Sequence, residues 1–370
     1  MPTTTDDKKY ASVHYNDYLQ LHKVLDAQYP RSEELGVEAH DEMLFIITHQ
    51  AYELWFKQIL HEMDSLMQMF RQNSIDEKRI STAVARVERV NEILKLLVRQ
   101  IRILETMSPL DFLDFRNYLL PASGFQSFQF RKLEALLGLR TEGRITYGQK
   151  DYKEPFAERQ RKELEAIEAE DSLLQLLEKW LERTPFLEVG NFNFLKAYAK
   201  AVRNMYEREK AAILATNIDD EHKQLRLRML EANQAYFKNV FSPECHQQLI
   251  EEGKLKLSYR ATMAALFINI YRSEPILQMP YRLLAALVEM DEWLTNWRYR
   301  HAQMILRMIG RKMGTGGSSG YDYLKETAEK HHLFFDLANI ATLLIPCSEK
   351  PELPEELKQR LGFYFTANRS

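Results

Sequence analysis

Residues 41–71, DEMLFIITHQAYELWFKQILHEMDSLMQMFR, hold neither glycine nor proline, and their apolar residues Leu44, Ile47, Leu54, Ile59, Met63, Leu66 and Phe70 recur at helical spacing. The surrounding chain from Val37 to Ser108 is equally free of both breakers. A polar interruption, RQNSIDEKR (71–79), separates this pattern from a second one over about 78–107, in which Ile80, Val84, Val87, Val90, Leu94, Leu97 and Ile101 repeat the period. Two long amphipathic segments joined by a short polar turn predict an antiparallel helical pair.

Working outward, Pro109 opens a short helical stretch, LDFLDFRNYLL, followed by PASGFQS as a turn and a further helix at about 127–137. Residues 138–157 read as loop. Residues 158–183 and 193–240 are rich in Glu, Lys, Arg, Ala and Leu and read as solvated helices. Residues 281–309 again lack Gly and Pro, with Pro280 before them and Gly310 at a C-cap position; such a helix spans roughly 43 Å at 1.5 Å per residue. A last helix is expected over about 321–344, stopped by Pro346. No sustained alternation, hairpin signal or fixed-period repeat occurs. The expected fold is all-α: one large helical domain over 1–370, with long antiparallel helices and no substantial sheet.

With 45% hydrophobic and 28% charged residues, the 370-residue chain lies outside the compositions of disordered or collagen-like proteins. Fifty basic residues against 53 acidic ones leave a net charge of −3, so no global positive field exists to hold nucleic acid. Cys245 and Cys347 are too few for a disulfide framework or thiolate cluster. The segment MPTTTDDKKY lacks the apolar core of a signal peptide, and no run of eighteen apolar residues follows it. The expectation is a cytoplasmic protein with no membrane or nucleic-acid partner.

Four of the 13 glycines fall within Gly314–Gly320, GTGGSSG. The segment lacks a Walker Gly-Lys-Ser/Thr ending on a strand-to-helix turn, which weighs against a phosphate loop; a flexible connector and a loop that orders over a ligand are the main alternatives. Neither His-Glu-x-x-His nor paired Glu-x-x-His elements occur among the 10 histidines. Two histidines nevertheless lie on apolar stripes of different long helices. His49 has Phe45 at i−4, Tyr52 at i+3 and Phe56 at i+7; His301 has Leu294 and Trp297 before it and Met304, Ile305 and Met308 after it. These are either core histidines or the walls of a flat apolar cofactor site, in which haem would take one neutral imidazole as axial ligand. Arg116 follows Phe112 by four residues on the same face. It is either a stacked surface residue or, if buried, the fork for a ligand carboxylate.

These segments closely resemble the tryptophan 2,3-dioxygenase family. The similarity is dense in HYNDYLQLHKVL (14–25), DEMLFIITHQAYELWFKQIL (41–60), ILETMSPLDFLDFRNYLLPASGFQSFQFRKLE (103–134), WLERTP (180–185) and WRYRHAQMILRMIGRKMGTGGSSGYDYL (297–324), and it runs from about 13 to 346. The resemblance implies a haem b enzyme, one haem per subunit and ferrous when active, that cleaves the indole C2–C3 bond of L-tryptophan with O2. It implies His301 as axial ligand, His49 on the distal side near the indole nitrogen, Arg116 on the substrate carboxylate, and Phe45 and Phe112 as walls of the indole pocket. Thr315 would meet the amino-acid end of the substrate, and Ser123 and Gly124 would approach the haem. It further implies a homotetramer built as a dimer of dimers, with an N-terminal segment (about 1–30) carrying Tyr15 and Tyr18 into a neighbouring subunit's site. Met43, Leu120 and Leu195 depart from the residues common in animal members. A non-catalytic haem or tryptophan sensor and a helical scaffold are the alternative readings.

Overall fold

The computed structural model describes residues 12–145, 151–312 and 319–363. Three short helices, α1 (Tyr15–Leu19), α2 (Leu21–Leu25) and α3 (Arg31–Glu34), precede the long α4 (Asp41–Phe70) and α5 (Glu77–Leu104). There follow α6 (Pro109–Arg116), α7 (Phe128–Leu137), α8 (Glu158–Ala169), α9 (Leu173–Glu182), α10 (Phe194–Ala215), α11 (Asp220–Phe241), α12 (Pro243–Glu251) and α13 (Tyr259–Ile270). The 35-residue α14 (Pro275–Ile309), α15 (Gly320–Lys330), α16 (Phe335–Asn339) and α17 (Glu355–Leu361) complete the helices. A two-stranded hairpin, β1 (Glu188–Val189) with β2 (Phe192–Asn193), is the one sheet among the described residues. The fold is all-α.

Side-chain bonds fix how the three long helices run. Between α4 and α5, Gln100 Nε2 donates to Thr48 O, Tyr52 Oη to Leu97 O, and Arg89 pairs with Glu62. As one number rises the other falls, so the pair is antiparallel, as expected. Asp76 starts α5 by accepting the Arg79 N–H at 3.0 Å. Between α5 and α14, Asn91 donates to Ala286 O, Lys95 pairs with Glu289, and Glu105 with Arg300. Those numbers rise together, so α5 and α14 are parallel. The α5 stripe Ile80, Val84, Val87, Val90, Leu94, Leu97 and Ile101 is wholly buried between them.

Four features differ from expectation. In α4 the buried side is Thr48, Tyr52, Phe56, Ile59 and Met63, while Ile47 and Leu54 are about half exposed, so part of the apolar pattern faces away from this chain's core. The long C-terminal helix begins at Pro275 rather than after Pro280; Pro275 takes the first helical position, where its missing N–H costs nothing, and Pro280 lies inside. The 158–183 and 193–240 segments each divide into two helices, and they are not merely solvated: Leu173, Leu176, Leu177 and Leu181 of α9 and Phe194 and Tyr198 of α10 are core. The 321–344 segment breaks after Lys330, because Asp291 of α14 accepts the N–H groups of Leu333 and Phe334 and draws the chain out of helix. Gly310 ends α14 at φ 63°, where a side chain would be strained. Among the described residues, no helix is long and apolar enough to cross a membrane.

Candidate active site

The spacing Phe45, His49, Tyr52, Phe56 places four rings along one side of α4, and α14 faces them with Trp297, His301 and Met304. Between these helices lies a cavity of about 480 Å³, within the range of small-molecule and cofactor sites. Its walls are mostly apolar, Phe130, Ile101, Leu104 and Leu119 among them. A second lobe of about 200 Å³ shares Phe45, His49, Ser123, Gly124 and His301 and adds Phe112 and Arg116 from α6. The two histidines therefore stand at the junction of a larger apolar lobe and a smaller one that carries a cation.

α6 is positioned from both ends. Ser108 and Asp111 exchange hydrogen bonds in a capping box at its start. Phe115, fully buried, packs edge-on against Phe45 with ring centroids 5.6 Å apart, and Phe112 lies 5.8 Å from the same ring. Arg116, on the last turn, is half-buried, and its guanidinium makes no hydrogen bond or ion pair among the described residues. A guanidinium opening on an apolar lobe without a partner has all its donors available to an anionic ligand.

The imidazoles are electrically quiet. Burial lowers the pKa of His49, only partly offset by its bond to Phe45 O and by the charge of Glu53. Burial also brings His301 down to about 4, with the facing His49 adding to the effect. Both are neutral at pH 7. The His49 Nδ1 lies 2.7 Å from Phe45 O, and a carbonyl can only accept, so the proton sits on Nδ1 and Nε2 keeps its lone pair. The Nδ1 of His301 is buried without a hydrogen-bond partner among the described residues, whereas the ring lines the cavity.

The turn at Ser123–Gln126 closes the site between α6 and α7. The Ser123 N–H donates to Gln126 Oε1, and Ser123 Oγ accepts from Phe125 N. A Cβ at Gly124 would meet no protein atom within 4 Å, so the backbone there leaves room beside the cavity it lines. Glu53, one turn beyond His49, accepts from Ser127 Oγ at 2.6 Å and from Gln129 Nε2 at 2.7 Å, and so ties this turn to α4. Sequence reasoning passed over Glu53, although its i+4 spacing from His49 marks the same helix face. Tyr15 and Tyr18 are 67% and 76% exposed on α1 and line neither lobe. Thr315 lies outside the described residues, as does the glycine run up to Ser318.

The sequence model of the tryptophan 2,3-dioxygenase family matches residues 2–344. The chain belongs to this family. It is 47% identical to a tryptophan 2,3-dioxygenase from Bdellovibrio bacteriovorus over 358 residues, covering 96% of this chain and all of that one. It is 48% identical to tryptophan 2,3-dioxygenase B from Danio rerio over 341 residues (92% and 84% of the two chains) and 43% identical to the Dictyostelium discoideum enzyme over 364 residues (98% and 91%). As a family member the chain is an oxidoreductase, a dioxygenase of tryptophan catabolism, and the tryptophan 2,3-dioxygenase family is haem-dependent. The cavity fits such a group: His301 offers a neutral nitrogen ligand on a wall of large apolar side chains, and Gly124 presents no side chain to the space.

Proposed function

We propose that the two-lobed cavity is where this chain performs the family's reaction, cleavage of the indole C2–C3 bond of L-tryptophan with O2 to give N-formyl-L-kynurenine. Haem b, one per subunit and ferrous in the active form, would be held by His301 with Ser123 and Gly124 beside it, and would supply the redox-active iron on which oxygen chemistry depends. The observation that carries the reading is the unpartnered Arg116 on the lobe shared by two neutral histidines. Phe45 and Phe112 would flank the indole, Arg116 would take the substrate carboxylate in a bidentate pair, and Thr315 would contact the amino-acid end.

Held at both ends, the indole ring is oriented before reaction, and orientation accounts for up to roughly 7–11 kcal/mol of a barrier in favourable cases. The indole N–H would donate to His49 Nε2, the nitrogen that the Phe45 bond leaves free. Indole is a very weak acid and imidazole a modest base of pKa near ~6.5, lowered further here by burial, so His49 acts as acceptor rather than as a base that removes the proton. The fold serves this as one all-α domain. Its N-terminal segment would bring Tyr15 and Tyr18 to the site of a neighbouring subunit in a cytoplasmic homotetramer, a dimer of dimers.

The test is the absorption spectrum of haem-reconstituted, reduced protein mixed with L-tryptophan and air and followed at the N-formylkynurenine band. Haem absorption with product growth is the expected result. A haem spectrum without product would leave a sensor, and no haem uptake would return His49 and His301 to the role of core residues.

A further inference from the structure

Behind the wall that Phe130 and Trp297 present to the larger lobe lies a buried charge cluster with no part in the chemistry above. Glu134 of α7 accepts from Arg131 Nη1 at 2.9 Å, from Arg144 Nη1 at 2.6 Å and from Arg298 Nη2 at 2.9 Å. The four side chains are no more than 8% exposed. A guanidinium remains protonated in proteins. Burial opposes ionisation of Glu134, but Arg144, Arg131 and Arg298 outweigh it and hold its carboxyl well below the usual range. Three positive charges thus meet one negative charge, and among the described residues every ion pair of these arginines goes to Glu134.

Among the described residues the neighbours do not restore the balance: Glu168, which accepts from Tyr152 Oη at 2.8 Å, is itself paired with Lys153 at 2.9 Å. His331, 1% exposed, accepts the Ile145 N–H on Nε2 and is neutral, its pKa brought by burial to about 4. Tyr152 lays its ring 3.9 Å from the Arg144 guanidinium, and the Nε and Nη2 of Arg144 are buried without a hydrogen-bond partner among the described residues. Tyr323 of α15 touches Arg131. An excess of two buried charges is costly unless an opposite charge lies within reach, and in a low-dielectric interior such a charge acts over several ångströms. The Arg298 guanidinium lies 6.0 Å from the centre of the Phe130 ring, which lines the cavity, and Arg298 precedes His301 by three residues on α14.

We propose that Arg131, Arg144 and Arg298, only partly neutralised by Glu134, set an electrostatic poise for the cofactor. Their excess positive charge, one aromatic ring behind the cavity, offsets the two carboxylates of haem b and favours the iron in its reduced, less positive state. The inference rests on the haem reading above. Reduction adds one electron from an external one-electron donor to ferric iron, and the cluster keeps its protonation throughout. It is an electrostatic role, distinct from ligation and from substrate contact.

Three variants of the full chain, loaded with haem, test it by the midpoint potential measured spectroelectrochemically. Arg144→Met removes one positive charge at the arginine whose Nε and Nη2 have no hydrogen-bond partner among the described residues, and its potential is expected to fall. Glu134→Gln removes the negative charge, and its potential is expected to rise. Arg144→Lys keeps the charge and is expected to match the parent protein. Shifts of the same sign in Arg144→Met and Glu134→Gln, a Lys variant that moves with the Met variant, or no shift at all would overturn the proposal. If Glu134→Gln does not fold, the Met and Lys variants at 144 decide the matter alone. Failure of the parent protein to take up haem would overturn both readings; normal haem uptake with potentials that ignore charge would overturn this one only.

Discussion

His49 Nδ1 and the carbonyl oxygen of Phe45, one turn back on α4, are 2.7 Å apart, and that single bond decides which nitrogen faces the cavity as an acceptor. If Nε2 only accepts the indole proton in a hydrogen bond, its loss is survivable. His49→Ala is therefore expected to lower kcat by less than the roughly 10²–10⁴-fold typical of losing a general base. Steady-state kinetics, with haem content and tryptophan binding measured alongside, check this. A larger fall with both intact would assign proton removal to His49.

Arg116 carries the second prediction. Its guanidinium has no protein partner among the described residues and opens on the lobe lined by Phe45 and Phe112. Arg116→Ala would leave a substrate carboxylate desolvated and unpaired, which costs about 2–5 kcal/mol. At 1.36 kcal/mol per decade, kcat/KM for L-tryptophan should fall by roughly 30-fold to several thousand-fold. Tryptamine, which lacks the carboxylate, should be processed alike by both proteins. Unchanged kcat/KM for tryptophan would remove Arg116 from the site.

How much of this was legible in the sequence depends on distance along the chain. The α5 stripe from Ile80 to Ile101 could be read directly, because helix periodicity is local and that helix is covered by α4 and α14. The Phe45–His49 and Phe112–Arg116 pairs were readable for the same reason, each being an i, i+4 step. The apolar stripes around His49 and His301 left open whether both line one cofactor site or lie in the core, because periodicity does not say which helices meet, and the place of Arg116 beside them entered the sequence reading through family resemblance. Ile47 and Leu54 show the converse failure, since periodicity reports an apolar face without saying what covers it. The Glu134 cluster escaped notice because its members are ordinary charged residues until the fold brings Arg298 and Glu134, 164 positions apart, to 2.9 Å.

His331 makes stability depend on pH. Its folded pKa of about 4 lies below the unfolded value near ~6.5, so its contribution is fully present above the unfolded value and is lost as pH falls towards 4. In that window the unfolded chain binds a proton that the native protein excludes. Between pH 7 and 4.5 this group should account for a loss of roughly 2–3 kcal/mol. Gln at 331 can still accept the Ile145 N–H but cannot titrate, so denaturant unfolding of His331→Gln should show a pH dependence flatter by that amount. Equal slopes for the two proteins would mean that His331 titrates freely in the native state.

Glu53 supplies the last prediction. Its two carboxylate oxygens accept separately, one from Ser127 Oγ and the other from Gln129 Nε2, and Ser127 Oγ in turn caps α7 by accepting the Phe130 N–H at 3.3 Å. A carboxamide has one acceptor oxygen, so Glu53→Gln keeps the Ser127 bond and sets an N–H₂ against the Gln129 N–H₂. Leaving a partly buried donor unmatched costs about 1–3 kcal/mol, visible as a lower denaturant midpoint. Gln129 Nε2 also donates to the main-chain Glu53 O at 2.8 Å, a bond that Glu53→Gln leaves in place, so the loss is confined to the side-chain pair. Gln129→Ala removes the donor itself, and combining it with Glu53→Gln should cost less than the sum of the two single losses if the side chains interact directly; a simple sum would show that they do not.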